Sequence, residues 1–164
     1  LFNRGRTNPG LFPDVEKLRG DRKTDLVALE GRKWDAVLDP SAYIPADVTR
    51  SATLLAPNVG HYLLISTISV YAALDTPGMD ERAPLATLKD PTVEQVTGET
   101  YGGLKVLCEQ AAEKAMPGKT TVIRPGLIVG PGDTTDRFTY WPVRVRKGGE
   151  VLAPNKASDF VQCI

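Results

Sequence analysis

Short apolar runs of strand length alternate along this chain with helical segments, and that order restricts the fold more than any other feature. "WDAVLD", residues 34–39, and Tyr62–Ile65 within "HYLLISTISVY" are apolar runs of buried-strand length. "TTVIR", residues 120–124, is β-branched and reads as a further strand. Leu1-Phe2 reads as the end of an earlier one, and Val15–Leu18 as a short one ending at Gly20-Asp21. Helix candidates fall between them at Asp25–Leu29, at Pro45–Ala56 and at residues 97–115, with Pro45 tolerated in a first turn. Buried strands separated by helices imply a parallel sheet with helices on its faces. The expected class is therefore α/β, a doubly wound parallel sheet. Further on, Tyr140–Arg146 reads as a short helix and Glu150–Ala153 as a short strand. Residues 72–98 are rich in Pro, Asp, Glu and Thr and read as a long connection, of a length that is usually functional or disordered.

Composition narrows the function more than the fold. The 164 residues suffice for one domain with a real core. Twenty Lys+Arg balance twenty Asp+Glu, which leaves no global basic field for nucleic acid. No apolar run approaches the roughly 18 residues of a membrane helix. Cys108 and Cys163 have neither metal nor redox spacing, and Cys108 falls on an apolar helix face; a reducing, cytoplasmic setting fits. His61 is the single histidine and has no motif around it, so a zinc site is excluded. The chain opens on "LFNRGRTNPG" without Met and stops on "SDFVQCI", which reads as a fragment truncated at both ends.

In a doubly wound sheet, ligands bind beyond the carboxyl ends of the strands. Those ends here carry Asn3, Arg4 and Arg6; Ser66, Thr67 and Ser69; and Pro125 with Gly126. The helix "YGGLKVLCEQAAEKA" adds Tyr101 and Lys105. Leu104, Leu107, Cys108, Ala111, Ala112 and Ala115 form its apolar stripe. Tyr101 and Lys105 lie on the flank of that stripe, about 40° apart on a helical wheel, which predicts a place at the rim. A nearby ammonium favours the phenolate, and a phenol tuned that way can exchange a proton with a substrate oxygen near neutral pH. Gly102 and Gly103 weaken the helix by about 1 kcal/mol each, which is explained if another group approaches closely there. Tyr-x-x-x-Lys alone is common by chance on amphipathic helices.

The combination is more specific. "STISVY", then "YGGLK" some thirty residues on, then "VIRPGLIVGPGD" resembles the extended short-chain dehydrogenase/reductase superfamily, of the NAD(P)-dependent epimerase/dehydratase type. "DERAPL", residues 80–85, resembles the acidic-then-proline stretch that precedes the catalytic helix in that superfamily. The resemblance runs from residue 1 to about residue 160. It implies a Rossmann domain over residues 1–164, with residues 134–164 beginning the substrate-binding part. It implies Tyr101 as catalytic acid/base, Lys105 on the nicotinamide ribose and Thr67 as the hydroxyl that holds the substrate oxygen. Ser66, Pro125 and Gly126 join the cofactor set, as do Asp21 and Arg22, which resemble the adenine-contacting pair. The loop Ser41–Ile44 falls where the superfamily's chain passes near the cofactor. Asn3 stands where NAD-preferring members place an acid, and Arg4 and Arg6 follow, so the expectation is NADP over NAD.

The implied activity is hydride transfer between the nicotinamide and a hydroxyl- or carbonyl-bearing small molecule, with sugar nucleotides a frequent substrate class. A homodimer built on a helix pair is within the superfamily's repertoire. Ile68-Ser69 replace the acidic pair of the sugar dehydratases, which argues against that chemistry. The glycine-rich turn is absent from residues 1–164, together with the strand and helix around it. In the order 3-2-1-4-5-6 the missing strand is the central one, so its neighbours are expected to show open edges and this chain alone to bind cofactor poorly. The alternative is a non-catalytic nucleotide- or RNA-binding protein on the same scaffold, since "FNRGRTN" looks somewhat like the corresponding loop of chloroplast stem-loop RNA-binding proteins. Neutral charge and the retained Thr67, Tyr101 and Lys105 favour the enzyme.

Overall fold

The computed structural model describes residues 1–153, 156 and 162–164. They divide into two units, Leu1–Arg124 and Pro125–Ile164. In the first unit, β1 (Phe2–Asn3) and β2 (Leu18–Arg19) pair in parallel, with Phe2 opposite Leu18. A second parallel sheet holds β3 (Trp34–Asp39), β4 (Val59–Ile65) and β5 (Thr120–Ile123), in that spatial order. Helix α1 (Pro45–Leu55) connects β3 to β4, and α2 (Tyr101–Ala115) precedes β5. The unit is α/β with parallel sheets and is Rossmann-like.

Register explains which residues share a face. Val37 lies opposite Tyr62, and Asp39 opposite Leu64, which in turn faces Val122. Tyr62 and Leu64, 1% and 0% exposed, point into a core closed by Val48, Ala52 and Leu55 of α1 and by Cys108 and Ala112 of α2, with Met116 beyond the helix end. Those helical positions recur at three- and four-residue spacing, so each helix turns one stripe inward. Each fully buried Leu, Val or Met side chain contributes about 1.5–3 kcal/mol. On the opposite face, Leu38 is 60% exposed.

Among the described residues the two sheets share no ladder, and β1 and β3 are each paired on one side only. These are the open edges that the strand order implies when its central member is missing. Side chains join the sheets instead. Phe2 and Leu18 pack against the same core as Leu26 and Leu29, and Arg22 reaches from beyond β2 to the last residue of β3.

Several expected boundaries moved. Val15–Leu18 becomes strand only from Leu18, because the Val15 amide turns back to the Phe12 carbonyl at 3.2 Å. Asp25–Leu29 shortens to a 3₁₀ turn, Val27–Leu29, with the Asp25 carboxylate accepting from the Val27 amide at 3.2 Å. Strand β4 starts at Val59 rather than Tyr62, since pairing with Trp34 begins there.

In the second unit, α3 (Tyr140–Arg146) forms where the sequence predicts a helix. Glu150–Ala153 does not form the expected strand. Arg144 donates to the carbonyls of Gly148, at 2.9 Å, and Glu150, and so closes a turn there. Gly148 and Gly149 supply the positive φ angles of 68° and 76° that this turn requires. Leu127 instead bridges Cys163 in parallel, its amide bonded to the Gln162 carbonyl at 2.8 Å. The backbone of Gln162 lies so close to Gly126 that a Cβ there would collide with its carbonyl oxygen.

Candidate functional site

The carboxyl end of β4 and the first turns of α2 form the centre of the candidate site. Strand β4 ends at Ile65; Ser66 and Thr67 follow, and then a 3₁₀ turn, Ile68–Val70. Thr67 caps that turn, its Oγ1 accepting from the Ser69 amide at 3.1 Å and donating to Ser69 Oγ at 3.2 Å. Ser69 thereby fixes the Thr67 hydroxyl. The Ser69 carbonyl lies against Gly102, where any Cβ would overlap it, and Leu88 lies against Gly103, its Cγ 2.6 Å from where a Cβ would be. Gly102 thus lets the start of α2 approach the Thr67 turn backbone to backbone, and Gly103 makes room for the Leu88 side chain.

Lys105 sits deeper than its place on the helical wheel suggests. The expected rim position is wrong: the residue is 2% exposed. Its ammonium is drawn inward by two backbone carbonyls, donating to Ile65 at 2.6 Å and to Ala42 at 2.7 Å. Burial pushes its pKa down, while the Asp39 and Glu109 carboxylates pull the other way. Two of the three ammonium donors are spent on the main chain, which fixes the third. The ring of Tyr43 lies 5.6 Å from this ammonium and 6.4 Å, centroid to centroid, from the half-buried ring of Tyr101. Tyr43 itself is 49% exposed, so one aromatic edge of the site is open to solvent.

Around this centre lie two buried charge pairs. Arg22 forks onto Asp39 at 2.9 and 2.8 Å and also donates to Ser51 Oγ and to the Ser41 carbonyl. Tyr62 donates at 2.6 Å to Asp39 Oδ2, which also accepts from Arg22 Nη2, and the Ser41 amide donates to Oδ1 at 3.0 Å. Burial raises the Asp39 pKa, but Arg22, Tyr62 and the Ser41 amide together more than offset it, and the carboxyl is held below the ordinary range. Burial and the Asp39 charge push the Tyr62 phenol well above its ordinary value. Arg22 Nε is the one buried side-chain nitrogen or oxygen without a hydrogen-bond partner among the described residues. The second pair is Glu109 of α2 with Arg124, at 3.1 and 2.7 Å.

The remaining sequence-predicted residues lie at the ends of β1 and β2. Asn3 Oδ1 accepts from the Gly5 amide at 2.8 Å and from Arg19 Nη1 at 2.5 Å. Arg4 and Arg6 are exposed, and Arg4 reaches Asp21 only at 3.9 Å. Asp21 uses a carboxylate oxygen on the Lys23 amide. The structure therefore brings Ser66, Thr67, Tyr101 and Lys105 around β4 and α2. Asn3, Arg4, Arg6 and Asp21 gather at the β1–β2 ends, and Arg22 is engaged with Asp39. Pro125 and Gly126 belong to the second unit. Sequence reasoning missed Glu109, Arg124 and Arg19, while Tyr43 falls within the Ser41–Ile44 loop expected near the cofactor. A glutamate one turn beyond Lys105 was the available signal for the first.

No protein-family model and no curated protein matches the sequence. Among solved structures, the chain is similar to MoeE5 in complex with UDP-glucose and NAD, with a TM-score of 0.57 and 19% identity. The match covers 79% of this chain and 47% of that one, so the chain spans about half the length of MoeE5. At this identity the likeness establishes the Rossmann-like fold.

Proposed function

We propose that this chain carries the catalytic part of a nicotinamide-dependent oxidoreductase or epimerase acting on a hydroxyl- or carbonyl-bearing small molecule. One observation carries the reading. A lysine ammonium is buried at the carboxyl edge of a parallel sheet, held by the carbonyls of Ile65 and Ala42, one helical turn from Tyr101. Burying a cation costs several kcal/mol unless bonds repay it, and a helix rarely accepts that cost for packing alone.

The residues fit the group. The third Lys105 donor remains for a ribose hydroxyl, and the exposed Arg4 and Arg6 suit a 2′-phosphate, which supports NADP over NAD. Ser66, Asp21, Arg22, Pro125 and Gly126 complete the proposed cofactor set. When bound, the nicotinamide would supply the hydride donor or acceptor. Tyr101 would pass the proton to or from the substrate oxygen, Thr67 would turn its one hydroxyl hydrogen from Ser69 Oγ to that oxygen, and Lys105 would hold the ribose while favouring the phenolate. UDP-glucose in the MoeE5 complex makes a sugar nucleotide the substrate class to try first. Residues 134–164 are proposed to begin the substrate-binding part.

The test is reduction of NADP+ and NAD+ by UDP-sugars and oxidation of NADPH and NADH by a ketone panel. It is run with this polypeptide and with the same polypeptide joined behind a strand, glycine-rich turn and helix that supply a pyrophosphate cradle. Tyr101→Phe should lower turnover about 100-fold or more while cofactor affinity, read by calorimetry, stays within about twofold. Equal turnover in Tyr101→Phe would refute the assignment. Tight binding of NADPH by the 164-residue polypeptide would refute the expectation that it binds cofactor poorly on its own.

A further inference from the structure

We infer that Glu109 and Arg124 form a positioning device for Thr67, acting through Ser66; this rests on the role proposed above for Thr67. Tyr101, Lys105 and Glu109 stand at i, i+4 and i+8 on α2, so they share one helical face. Glu109 is 7% exposed, and both oxygens of its carboxylate are bonded. Ser66 Oγ donates to Oε1 at 2.5 Å, Arg124 Nε donates to the same oxygen at 3.1 Å, and Arg124 Nη2 donates to Oε2 at 2.7 Å. Ser66, 4% exposed, is the residue immediately before Thr67.

The other edge of the Arg124 guanidinium closes the far side of the same turn. Its Nη1 donates to Tyr71 Oη at 3.2 Å and to the Glu81 carbonyl at 3.3 Å, and the group lies 5.1 Å from the Tyr71 ring centroid. Tyr71 directly follows the 3₁₀ turn and bridges Leu85, while the Val70 carbonyl accepts from Ala86 at 2.7 Å. The segment from Ser66 to Tyr71 is therefore held at both ends by one ion pair, and that pair is anchored on the helix that presents Tyr101 and Lys105. A forked arginine–carboxylate pair has fixed geometry, which a lone serine hydroxyl lacks. The ion pair therefore sets where the Thr67 hydroxyl stands relative to the phenol and the ammonium.

The experiment uses the whole chain and the variants Ser66→Ala, Ser66→Thr and Glu109→Gln, with Leu55→Ala as a core control of comparable destabilisation. The first readout is amide hydrogen exchange without ligand. Ser66→Ala and Glu109→Gln should speed exchange at the Ser69, Val70 and Tyr71 amides about tenfold or more relative to Ala56. Ser66→Thr should restore it, and Leu55→Ala should speed all four amides alike. The second readout is hydride transfer in the polypeptide carrying a pyrophosphate cradle, with NADP+ and UDP-glucose as probes, where kcat should fall about tenfold in Ser66→Ala with KM within about twofold. Uniform exchange in Ser66→Ala, or local loosening with kcat unchanged, would overturn the positioning role. If the wild-type polypeptide carrying the pyrophosphate cradle oxidises no probe, the functional reading fails, while the exchange pattern still decides whether the pair holds this turn.

Discussion

Replacing Gly102 with alanine should destabilise the protein, although the same change in an open helix interior would stabilise it. An unobstructed helical glycine gains about 1 kcal/mol on conversion to alanine. Gly102 has no positive φ to penalise a side chain, so that gain is available in full. Against it stands the Ser69 carbonyl, which the new Cβ would overlap. This neighbour is main chain, in a turn fixed by the Thr67 cap and by the Val70–Ala86 bond, so it cannot swing aside as a side chain would. Overpacking of this kind costs about 1–3 kcal/mol. The balance is a net loss of about 1 kcal/mol, or about 2–4 °C in Tm for a chain of this size. Gly103→Ala meets only the Leu88 side chain and should lose less. Gly98→Ala, with nothing within 4 Å, should be neutral or slightly stabilising. Urea denaturation of the three variants checks the order. A Gly102→Ala protein more stable than wild type would refute the close approach of α2 to the Thr67 turn.

Arg22→Met should cost about 3–5 kcal/mol near neutral pH, because it leaves Asp39 buried and uncompensated. The folded-state pKa of Asp39 is lowered, so its contribution is present above the ordinary carboxylate pKa and lost as pH falls through the folded value. The gap between wild type and Arg22→Met in denaturation midpoints should therefore close in acid; a constant gap down to the acid limit would count against the pair. Lys105 has the opposite sense: its depressed pKa makes wild type gain stability relative to Lys105→Met as pH rises through the folded value toward 10.5, and parallel alkaline profiles would contradict its burial as a cation. Cys108 is fully buried with its thiol pushed up to about 12, whereas Cys163 is exposed, so a thiol reagent should modify one cysteine natively and the second only on unfolding. Equal rates at both would show that the α2 core opens.

The strands and helices with enough residues to show a period were legible in the sequence. WDAVLD, the Tyr62–Ile65 run and the helices at Pro45, Tyr101 and Tyr140 all form, within a residue or a few of their expected bounds. A two-residue strand has no period, so the sequence does not place β2, and four residues are too few to tell a strand at Glu150–Ala153 from the turn that Arg144 closes. The presence of Tyr101, Lys105 and Thr67 at strand and helix ends was readable. The depth of Lys105 was not, because its partners are main-chain carbonyls of residues 42 and 65, and carbonyls leave no mark in side-chain pattern. Glu109 and Arg124 escaped for a related reason: their pairing depends on how β5 meets α2 in space, and fifteen residues of separation place neither opposite the other on any one element. The double glycine posed a question that the sequence alone left open, and the Ser69 carbonyl answers it.

A double-mutant cycle on hydride transfer addresses most directly the claim that Thr67 and Tyr101 act as one unit on a single substrate oxygen. Thr67→Ala, Tyr101→Phe and the double variant are compared at saturating cofactor in the polypeptide carrying a pyrophosphate cradle. Residues that serve one reacting atom lose activity non-additively, so the double variant should be no more than about threefold slower than the slower single variant. Losses that multiply would mean that the two hydroxyls work independently, and would contradict the account.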